Sequence, residues 1–311
     1  MATAVIYKTG YSETLAEEKS GNIVSLGDVV RTTPLVSLLK RKNFSSIYWI
    51  TSKECVSLLQ GIEGLTQVLT TSNLPHHLLE KTDLFINLEK DLEESISLEE
   101  GTKLYGFSPL DDSKVHTSEG IDSLLNFKMK LKLQNKPTLQ DFIFTLLGED
   151  FSGEKYLIPE SLFHETEDTF VVGLNWKVGK KWPTKQVSLK VWESIDLKLR
   201  DSNISTTWQE GFSDIGQYCS WINSSQILIT NDSLGMHLAL GLGKKVFCFF
   251  GPTSIDEIYD YKLLVPYRFK VPINYECLPC YSSLCHMPQQ CSSYIDEDEV
   301  VRKITQISKN L

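Results

Sequence analysis

Residues 226–250 read QILITNDSLGMHLALGLGKKVFCFF, and this stretch decides the fold. The apolar run from Gln226 to Thr230 predicts a strand, the residues from Leu234 to Leu242 predict a helix, and the run from Val246 to Phe250 predicts a second strand. Short strands that alternate with helices indicate βαβ units, in which helices cover both faces of a parallel sheet. The predicted fold class is therefore α/β.

The same alternation continues along the rest of the chain and divides it in two. The other predicted strands are Asn22–Leu26, Ser46–Thr51, Gln67–Thr70, Leu84–Leu88, Phe170–Leu174 and one near Ser205. The other predicted helices are Leu35–Lys42, Glu54–Gln60, Ile121–Leu133, Thr138–Leu147, Val191–Arg200, Gln217–Ile222 and Ile255–Tyr259. The alternation fades between Ser95 and Thr117, where we expect an irregular segment, and it restarts after a boundary near Tyr156 to Asp168.

A chain of 311 residues is long enough for two domains of ~150 residues each. We predict an N-terminal domain over residues 1–160 and a C-terminal domain over residues 161–311. Both are expected to be Rossmann-like and to face each other across a cleft.

The composition narrows the class of protein. A net charge of −9 argues against a nucleic-acid-binding protein, because phosphate backbones are polyanionic. No apolar run approaches the ~20 residues of a membrane-spanning helix. The segment from Met1 to Lys19 lacks the apolar core of a signal peptide. We expect a cytoplasmic protein with reduced cysteines, which touches the inner face of the cytoplasmic membrane at most peripherally.

Gly27 and Asp28 follow the first predicted strand. Ligands bind at the carboxyl ends of strands in an open parallel sheet, and Gly27 would permit a tight exit there. Thr33 and Pro34 match the N-cap and first residue of the next helix, so Asp28 is expected in the cleft on the turn before it. A carboxylate there could accept the proton of an attacking hydroxyl group. The alternative is that Asp28 only caps the helix. The nearby helix N-terminus would also favour the charged form of Asp28 and so make it a weaker base.

A basic patch follows the strand predicted at Phe170–Leu174. It contains Lys177, Lys180, Lys181 and Lys185 within nine residues of an acidic chain. A lysine at the carboxyl end of a strand could neutralise the charge that grows on a leaving diphosphate. The alternative is a solvated surface loop.

The segment from Asn231 to His237 joins a strand to a helix, whose first N–H groups form a ready anion site. Ser233 and Gly235 are small enough for a phosphate to approach the backbone. Asp232 would repel a phosphate, so we expect it to accept hydrogen bonds from sugar hydroxyls. His237 lies about one turn further on, where it faces the same site or packs as an ordinary core histidine.

A second strand–loop–helix unit follows at Gly251, Pro252 and Thr253. Ser254 and Glu257 match a capping box at the start of its helix. Two such units side by side favour a cradle for a nucleotide.

Cys277, Cys280, Cys285 and Cys291 place four thiols within fifteen residues. A Cys-x2-Cys spacing lets one turn present two thiolates to a metal, and two more complete a tetrahedral set. In a cytosolic protein a metal is favoured over disulfides. Four thiolates leave no open position, so the predicted metal is a structural zinc or iron. The alternative is four unrelated reduced cysteines.

Taken together, these segments resemble the heptosyltransferases of glycosyltransferase family 9. In the N-terminal half, the resemblance is carried by GDVVRTTPL (27–35) with IYWIT (47–51). In the C-terminal half, it is carried by Gly173-Leu174-Asn175 with KKWPTK (180–185), by TNDSLGMHLA (230–239) with FGPT (250–253), and by the cysteines that begin with CLPC (277–280). The cysteine segment resembles one branch of the family, which includes protein heptosyltransferases with an iron-binding finger. The segment from Thr207 to Gly211 departs from the family, many of whose members have a Gly-Gly pair and an acid there.

The resemblance implies a GT-B fold and an inverting transfer from an ADP-heptose-like donor, with no catalytic metal. In that family pattern Asp28 matches the base, Lys180 the lysine at the leaving phosphate, Asp232 the residue that holds the donor sugar, and His237 the histidine of the same motif. The other residues that fall in donor motifs are Asn175, Ser233, Leu234, Gly235 and Thr253.

The function that follows is transfer of a heptose or related sugar to a glycan such as the lipopolysaccharide core. Two alternatives remain: a protein as the acceptor, and a non-catalytic module that binds a sugar nucleotide. A nicotinamide-dependent dehydrogenase is disfavoured, because no Gly-x-Gly-x-x-Gly follows an early strand.

Overall fold

The computed structural model describes residues 2–11, 23–89, 96, 98–99, 101–107, 115–116, 138–164, 170–212, 214–273, 275 and 277–311. The chain forms two compact units. Unit 1 comprises Met1–Glu160 with Asp256–Tyr259, and unit 2 comprises Ser161–Ile255 with Asp260–Leu311. In the described residues, no helix is long and apolar enough to cross a membrane.

Unit 1 is built on a six-stranded sheet in the order β3-β2-β1-β4-β5-β6. Its strands are β1 (Thr3–Tyr7), β2 (Ser46–Thr51), β3 (Gln67–Thr70), β4 (Leu84–Asn87), β5 (Lys103–Phe107) and β6 (Val115–His116). All neighbouring strands pair in parallel except β5 and β6. The described helices of this unit are α1 (Leu26–Val30), α2 (Pro34–Arg41), α3 (Val56–Leu59), α4 (His76–Leu79) and α5 (Leu139–Leu146).

Two predictions for unit 1 were wrong. The first strand is not Asn22–Leu26 but Thr3–Tyr7, a short apolar run near the N-terminus that pairs with both β2 and β4. Residues 23–25 are not strand, and Leu26 begins α1. The segment from Ser95 to Thr117 is not wholly irregular, since it supplies β5 and β6. The helix predicted at Ile121–Leu133 lies outside the described residues.

The predictions for strands β2 and β3 and for helix α5 were confirmed. Strands β2 and β3 have the predicted bounds. The N-cap of helix α5 is Thr138, whose side chain accepts from the backbone N–H of Asp141 while the Asp141 carboxylate accepts from the N–H of Thr138. This reciprocal cap satisfies two backbone donors at the helix start.

Unit 2 is built on a five-stranded parallel sheet in the order β11-β10-β9-β7-β8. Its strands are β7 (Phe170–Asn175), β8 (Thr206–Trp208), β9 (Ser225–Asn231), β10 (Lys245–Phe250) and β11 (Leu264–Arg268). Its helices are α6 (Leu189–Asp201), α7 (Ile215–Asn223), α8 (Leu234–Gly241) and α9 (Glu297–Ser308). The core lies between the sheet and α6 and α9, with Trp192, Phe247 and Phe249 fully or almost fully buried.

The helix predicted at Ile255–Tyr259 is only a 3₁₀ turn, Ile255–Glu257. Strand β11 and helix α9 did not enter the sequence-based prediction. Pro266 lies within β11, where it interrupts the strand pattern and is tolerated because β11 is an edge strand.

Candidate functional site

Each sheet has one point at which the strand order reverses direction, and ligands of open α/β sheets bind beside such points. In unit 1 this point lies between β1 and β4, where Tyr7 is in register with Asn87. In unit 2 it lies between β7 and β9, where Asn175 is in register with Thr230. The predicted site residues follow these strands, so each unit is described in turn.

Asp28 lies in α1 beside the carboxyl end of β1, and only 5% of its surface is exposed. Its Oδ2 lies 2.6 Å from Nζ of Lys8, the residue that follows β1. Its Oδ1 lies 3.2 Å from Nε of Arg31. Both carboxylate oxygens are therefore engaged by cations from the same unit.

Glu89 and Glu257 complete this network. Oε1 of Glu89, which follows β4, lies 3.2 Å from Nζ of Lys8 and accepts hydrogen bonds from the backbone N–H groups of Thr9 and Gly10 at 2.8 and 2.7 Å. Oε2 of Glu257 accepts from Nη2 of Arg31 at 3.2 Å. Glu89 thus fixes the loop that follows β1 as well as the lysine.

Lys8 is completely buried. Burial alone would lower the pKa of its ammonium group, but the charges of Asp28 and Glu89 outweigh that effect and raise the pKa above its ordinary value. Lys8 therefore remains a cation, held between two carboxylates.

The structure does not support the helix-cap interpretation of Asp28. The N-cap position of α1 is Ser25, and Asp28 lies inside the helix with its carboxylate directed at Lys8 and Arg31. Gly27 also lies in α1 rather than in a tight exit from a strand. Pro34 does occupy the first position of α2, as predicted, but the Thr33 hydroxyl donates to the carbonyl of Val30 instead of capping.

Asp232 follows β9 in unit 2 and is 7% exposed. Its Oδ2 accepts a hydrogen bond from Nζ of Lys185 at 2.7 Å and another from the hydroxyl of Thr253. Burial raises the pKa of this carboxyl, but Lys185, the neighbouring His237 and the hydrogen bonds outweigh it and lower the pKa to about 2. Asp232, Thr253 and His237, named separately from the sequence, are therefore brought together.

Asn175 is held rigidly at the end of β7. Its Nδ2 donates to the hydroxyls of Thr230 and Ser233 at 2.7 and 3.3 Å, and its Oδ1 accepts from the hydroxyl of Tyr218 at 2.8 Å. A Cβ at Gly235 would lie 2.3 Å from the Tyr218 hydroxyl and 2.4 Å from the Asn175 amide. Gly235 is therefore required for close packing, a role that the phosphate-based interpretation did not include.

Ser233 occupies the N-cap position of α8 but makes no side-chain cap, and Leu234 is the first helical residue. The first N–H groups of a helix have no partners within it, so this end of α8 keeps the capacity to bind an anion. Six of the residues predicted to bind a donor thus lie close together in unit 2, namely Asn175, Asp232, Ser233, Gly235, His237 and Thr253.

Two lysines of the basic patch have different surroundings, and one of them, Lys180, is the lysine that the family pattern places at the leaving phosphate. Lys180 is exposed, whereas the amine of Lys185 contacts Asp232 and lies 5.0 Å from the ring centroid of Trp182. Lys177 donates to the carbonyl of Glu210. Lys185 is therefore an amine of this loop that turns inward to Asp232, whereas the role of Lys180 at the leaving phosphate stays a prediction.

The cysteine segment packs against the same loops of unit 2. The hydroxyl of Thr184 donates to the carbonyl of Ser282 at 2.7 Å, and the N–H of Tyr281 donates to the carbonyl of Pro252 at 2.8 Å. Cys291 is buried and its Sγ would lie 2.9 Å from a Cβ at Gly251.

Cys277 and Cys285 are exposed, and Cys280 is half-buried. Burial first, and then the charges of Cys280, Cys285 and Cys277, raise the pKa of the Cys291 thiol to about 11. All four thiols are therefore near enough to interact electrostatically. Within the described part of the chain, no three side chains of His, Cys, Asp or Glu already form a group suited to a metal ion.

Sequence reasoning missed several residues of both sites. Lys8 and Glu89 were not selected, although each follows a strand at the carboxyl edge of the sheet and this position was a usable signal. Tyr218 lies in α7, and its contact with Asn175 spans 43 residues. Nothing in the local sequence pairs residues at such a separation.

Known proteins resemble this chain in three-dimensional fold and not in sequence. No family model matches the sequence, and no curated protein sequence matches it. Solved structures do match along the whole chain. A family 9 glycosyltransferase from Veillonella parvula has a TM-score of 0.61 at 15% identity, with 100% of this chain and 98% of that chain covered.

The chain has the fold of the family 9 glycosyltransferases. The E. coli ADP-heptose lipopolysaccharide heptosyltransferase II has a TM-score of 0.64 at 14% identity, with 100% and 99% of the two chains covered. The iron-containing dodecameric glycosyltransferase TibC of enterotoxigenic E. coli has a TM-score of 0.63 at 11% identity, with 99% and 76% covered. The predicted α/β class and GT-B fold are confirmed.

Proposed function

We propose that this chain is a glycosyltransferase that moves a sugar, a heptose or a close relative, from an ADP-sugar to an acceptor hydroxyl. The observation that carries this proposal is that Asp28 and Asp232 each lie buried beside the strand-order reversal of one sheet. Such points are the ligand sites of open α/β sheets. The shared fold with enzymes that use ADP-heptose adds support for the donor class.

In the proposed reaction, the acceptor oxygen forms a bond to the anomeric carbon as the bond from that carbon to the diphosphate oxygen breaks. Asp28 takes the proton of the acceptor hydroxyl. The nucleoside diphosphate leaves with the bonding electrons. The lysines of the loop and the N-terminus of α8 stabilise the charge that develops on it.

Asp232 is suited to a different task. With its pKa lowered to about 2, it stays ionised at neutral pH and acts as a hydrogen-bond acceptor rather than as a base. We assign it to the hydroxyls of the donor sugar. Thr253 and Lys185 hold its carboxylate in one orientation.

A panel of ADP-, UDP- and GDP-sugars with glycan and protein acceptors tests this function. Release of the nucleotide is measured for each pair, and Asp28→Asn serves as the inactive control. We expect release with one donor and almost none in the variant. Unchanged turnover in Asp28→Asn would remove this residue from the mechanism.

A non-catalytic module that binds a sugar nucleotide is the second candidate. One observation favours it: both oxygens of Asp28 are engaged by Lys8 and Arg31, which is unusual for a base. Tight binding of one donor without turnover on any acceptor would support this second function.

We also propose that Cys277, Cys280, Cys285 and Cys291 hold a structural zinc or iron ion, which takes no part in the transfer. Four thiolates are a suitable donor set for either metal. Support comes from that donor set and from the electrostatic coupling of the thiols, not from a preformed geometry. Elemental analysis should find about one metal ion per chain, and Cys280→Ser should lower both metal content and thermal stability. A metal-free protein of full stability would contradict the assignment.

A further inference from the structure

Ion pairs of the described residues join three carboxylates and two cations around Asp28. The carboxylates are those of Asp28, Glu89 and Glu257, and the cations are Lys8 and Arg31. None of these residues is more than 9% exposed. With all five ionised, these side chains carry one net negative charge in a poorly hydrated environment.

The two cations are shared rather than dedicated to Asp28. Nζ of Lys8 lies 2.6 Å from Asp28 and 3.2 Å from Glu89. Arg31 lies 3.2 Å from Asp28 through Nε and 3.2 Å from Glu257 through Nη2. A proton added to Asp28 would leave each of these two cations paired with one of the two glutamates.

This sharing bears on whether Asp28 can act as a base. An opposite charge within about 4–6 Å typically lowers the pKa of a carboxyl by one to three units. Two cations dedicated to Asp28 would therefore make it a weak base. A second carboxylate on each cation opposes that effect, because like charges favour protonation.

We propose that Glu89 and Glu257 are positioning residues that keep Asp28 basic, each by acting as the second counter-ion of a cation that holds it. This inference rests on the proposed function, in which Asp28 accepts the proton of the acceptor hydroxyl. The proton moves from the acceptor oxygen to a carboxylate oxygen of Asp28, and no other group changes its charge.

Three further groups of the described residues lie beside these five side chains. The thiol of Cys55 donates to the carbonyl of Thr9, and burial raises its pKa to about 11, so it stays neutral at physiological pH. Gln140 of α5 is uncharged and donates to the carbonyl of Arg31 at 2.6 Å. The Tyr156 hydroxyl lies 3.4 Å from the Gln140 amide nitrogen.

The test is a carboxyl ¹³C NMR titration of the full chain without substrates, in which Asp28→Asn assigns the Asp28 resonance. We expect the titration midpoint of Asp28 to fall by about one pH unit in Glu89→Gln and in Glu257→Gln, and to rise by about one unit in Lys8→Met. A merely structural role would not produce opposite shifts. Lys40→Met and Glu63→Gln alter an exposed pair in the same unit and should change nothing.

An unchanged or raised midpoint in both glutamine variants would overturn the inference. Circular dichroism checks that each variant folds, and Glu89→Asp, which keeps the charge, should bring the midpoint back toward the parent value. The acid limb of the pH–rate profile should move in the same direction as each NMR midpoint. Full turnover in Asp28→Asn would contradict the proposed role of Asp28 as the base. The midpoints measured in Glu89→Gln and Glu257→Gln would still test, separately, whether these glutamates raise the pKa of Asp28.

Discussion

Asp28 and Asp232 both lie near the carboxyl edge of a parallel sheet at a reversal of strand order, Asp28 inside α1 and Asp232 directly after β9, yet their surroundings differ. Asp28 shares two cations with two other carboxylates. Asp232 accepts from Lys185 and from Thr253, and its pKa is lowered to about 2. In the proposed function, one type of side chain thus exchanges a proton in unit 1 and remains ionised in unit 2, and the difference in environment separates the two proposed roles.

The largest expected effect comes from removing the charge of Asp28. Asp28→Asn keeps the size of the side chain but cannot take a proton, so turnover should fall by about 10²–10⁴-fold. The affinity for the donor should change little, since Asp232 and its partners lie in the other unit. Steady-state rates and calorimetric binding of the nucleotide sugar measure the two quantities.

Asp232→Asn is the matched comparison and should weaken donor binding itself. If Asp28→Asn weakens binding as strongly as Asp232→Asn does, the two carboxylates do not have separate roles.

The second prediction distinguishes two lysines of the basic patch. Lys185→Met leaves the buried carboxylate of Asp232 without its cation, which should lower the free energy of unfolding by roughly 3 kcal/mol. Lys180→Met removes an exposed amine and should leave the free energy of unfolding unchanged. The turnover of the same variant tests whether Lys180 contacts the leaving phosphate. Urea denaturation of both variants measures the difference. Equal stability losses would show that Lys185 is not the residue that holds Asp232.

These two lysines also show what the sequence could and could not predict. Dense positive charge after a strand located the loop, because strand ends are visible in the apolar pattern. The direction of each side chain depends on the path of the loop, in which Pro183 to Lys185 form a 3₁₀ turn that directs Lys185 inward. Apolar periodicity contains no information about such a path.

Unit 1 gives the same lesson at β1. The run from Thr3 to Tyr7 forms β1, but it is only five residues long, lies near the N-terminus and is followed by a lysine. Its apolar pattern is therefore a weak signal for a strand. Its position in the sheet comes from pairing with β2 and β4, whose partner residues are 43 and 80 residues away in sequence. Because β1 was not predicted, Lys8 at its end was not predicted either, although Lys8 is the ion-pair partner of Asp28.

The third prediction concerns acid. Because the pKa of Asp232 is lowered to about 2 in the folded state from an ordinary value of 3.8, its contribution to stability is present above pH ~4 and is lost as the pH falls toward 2. The contribution is about 2 kcal/mol, mostly supplied by Lys185 and opposed by burial. The parent should therefore lose about that much more free energy of unfolding than Asp232→Asn between about pH 5 and pH 2. Parallel acid dependence in both proteins would contradict the lowered pKa.

The smallest expected effect tests how tightly the unit 2 site is packed. A methyl group at Gly235 would lie 2.3 Å from the Tyr218 hydroxyl and 2.4 Å from the Asn175 amide, distances at which one of them must move. Gly235→Ala should therefore lower the free energy of unfolding by about 1–2 kcal/mol and weaken donor binding. Thermal denaturation and nucleotide binding measure the two effects.

Gly179→Ala is the control for the same substitution, because a Cβ there would have no atom within 4 Å. It lies in the basic loop of the same unit and should be neutral or slightly stabilising, since alanine restricts the unfolded chain more than glycine does. If Gly235→Ala is as stable as Gly179→Ala but still binds the donor weakly, Gly235 acts through direct approach of a phosphate to the backbone rather than through packing. If both stability and binding fall together, the hydrogen bond from Tyr218 to Asn175 is what keeps the donor loop in its binding conformation.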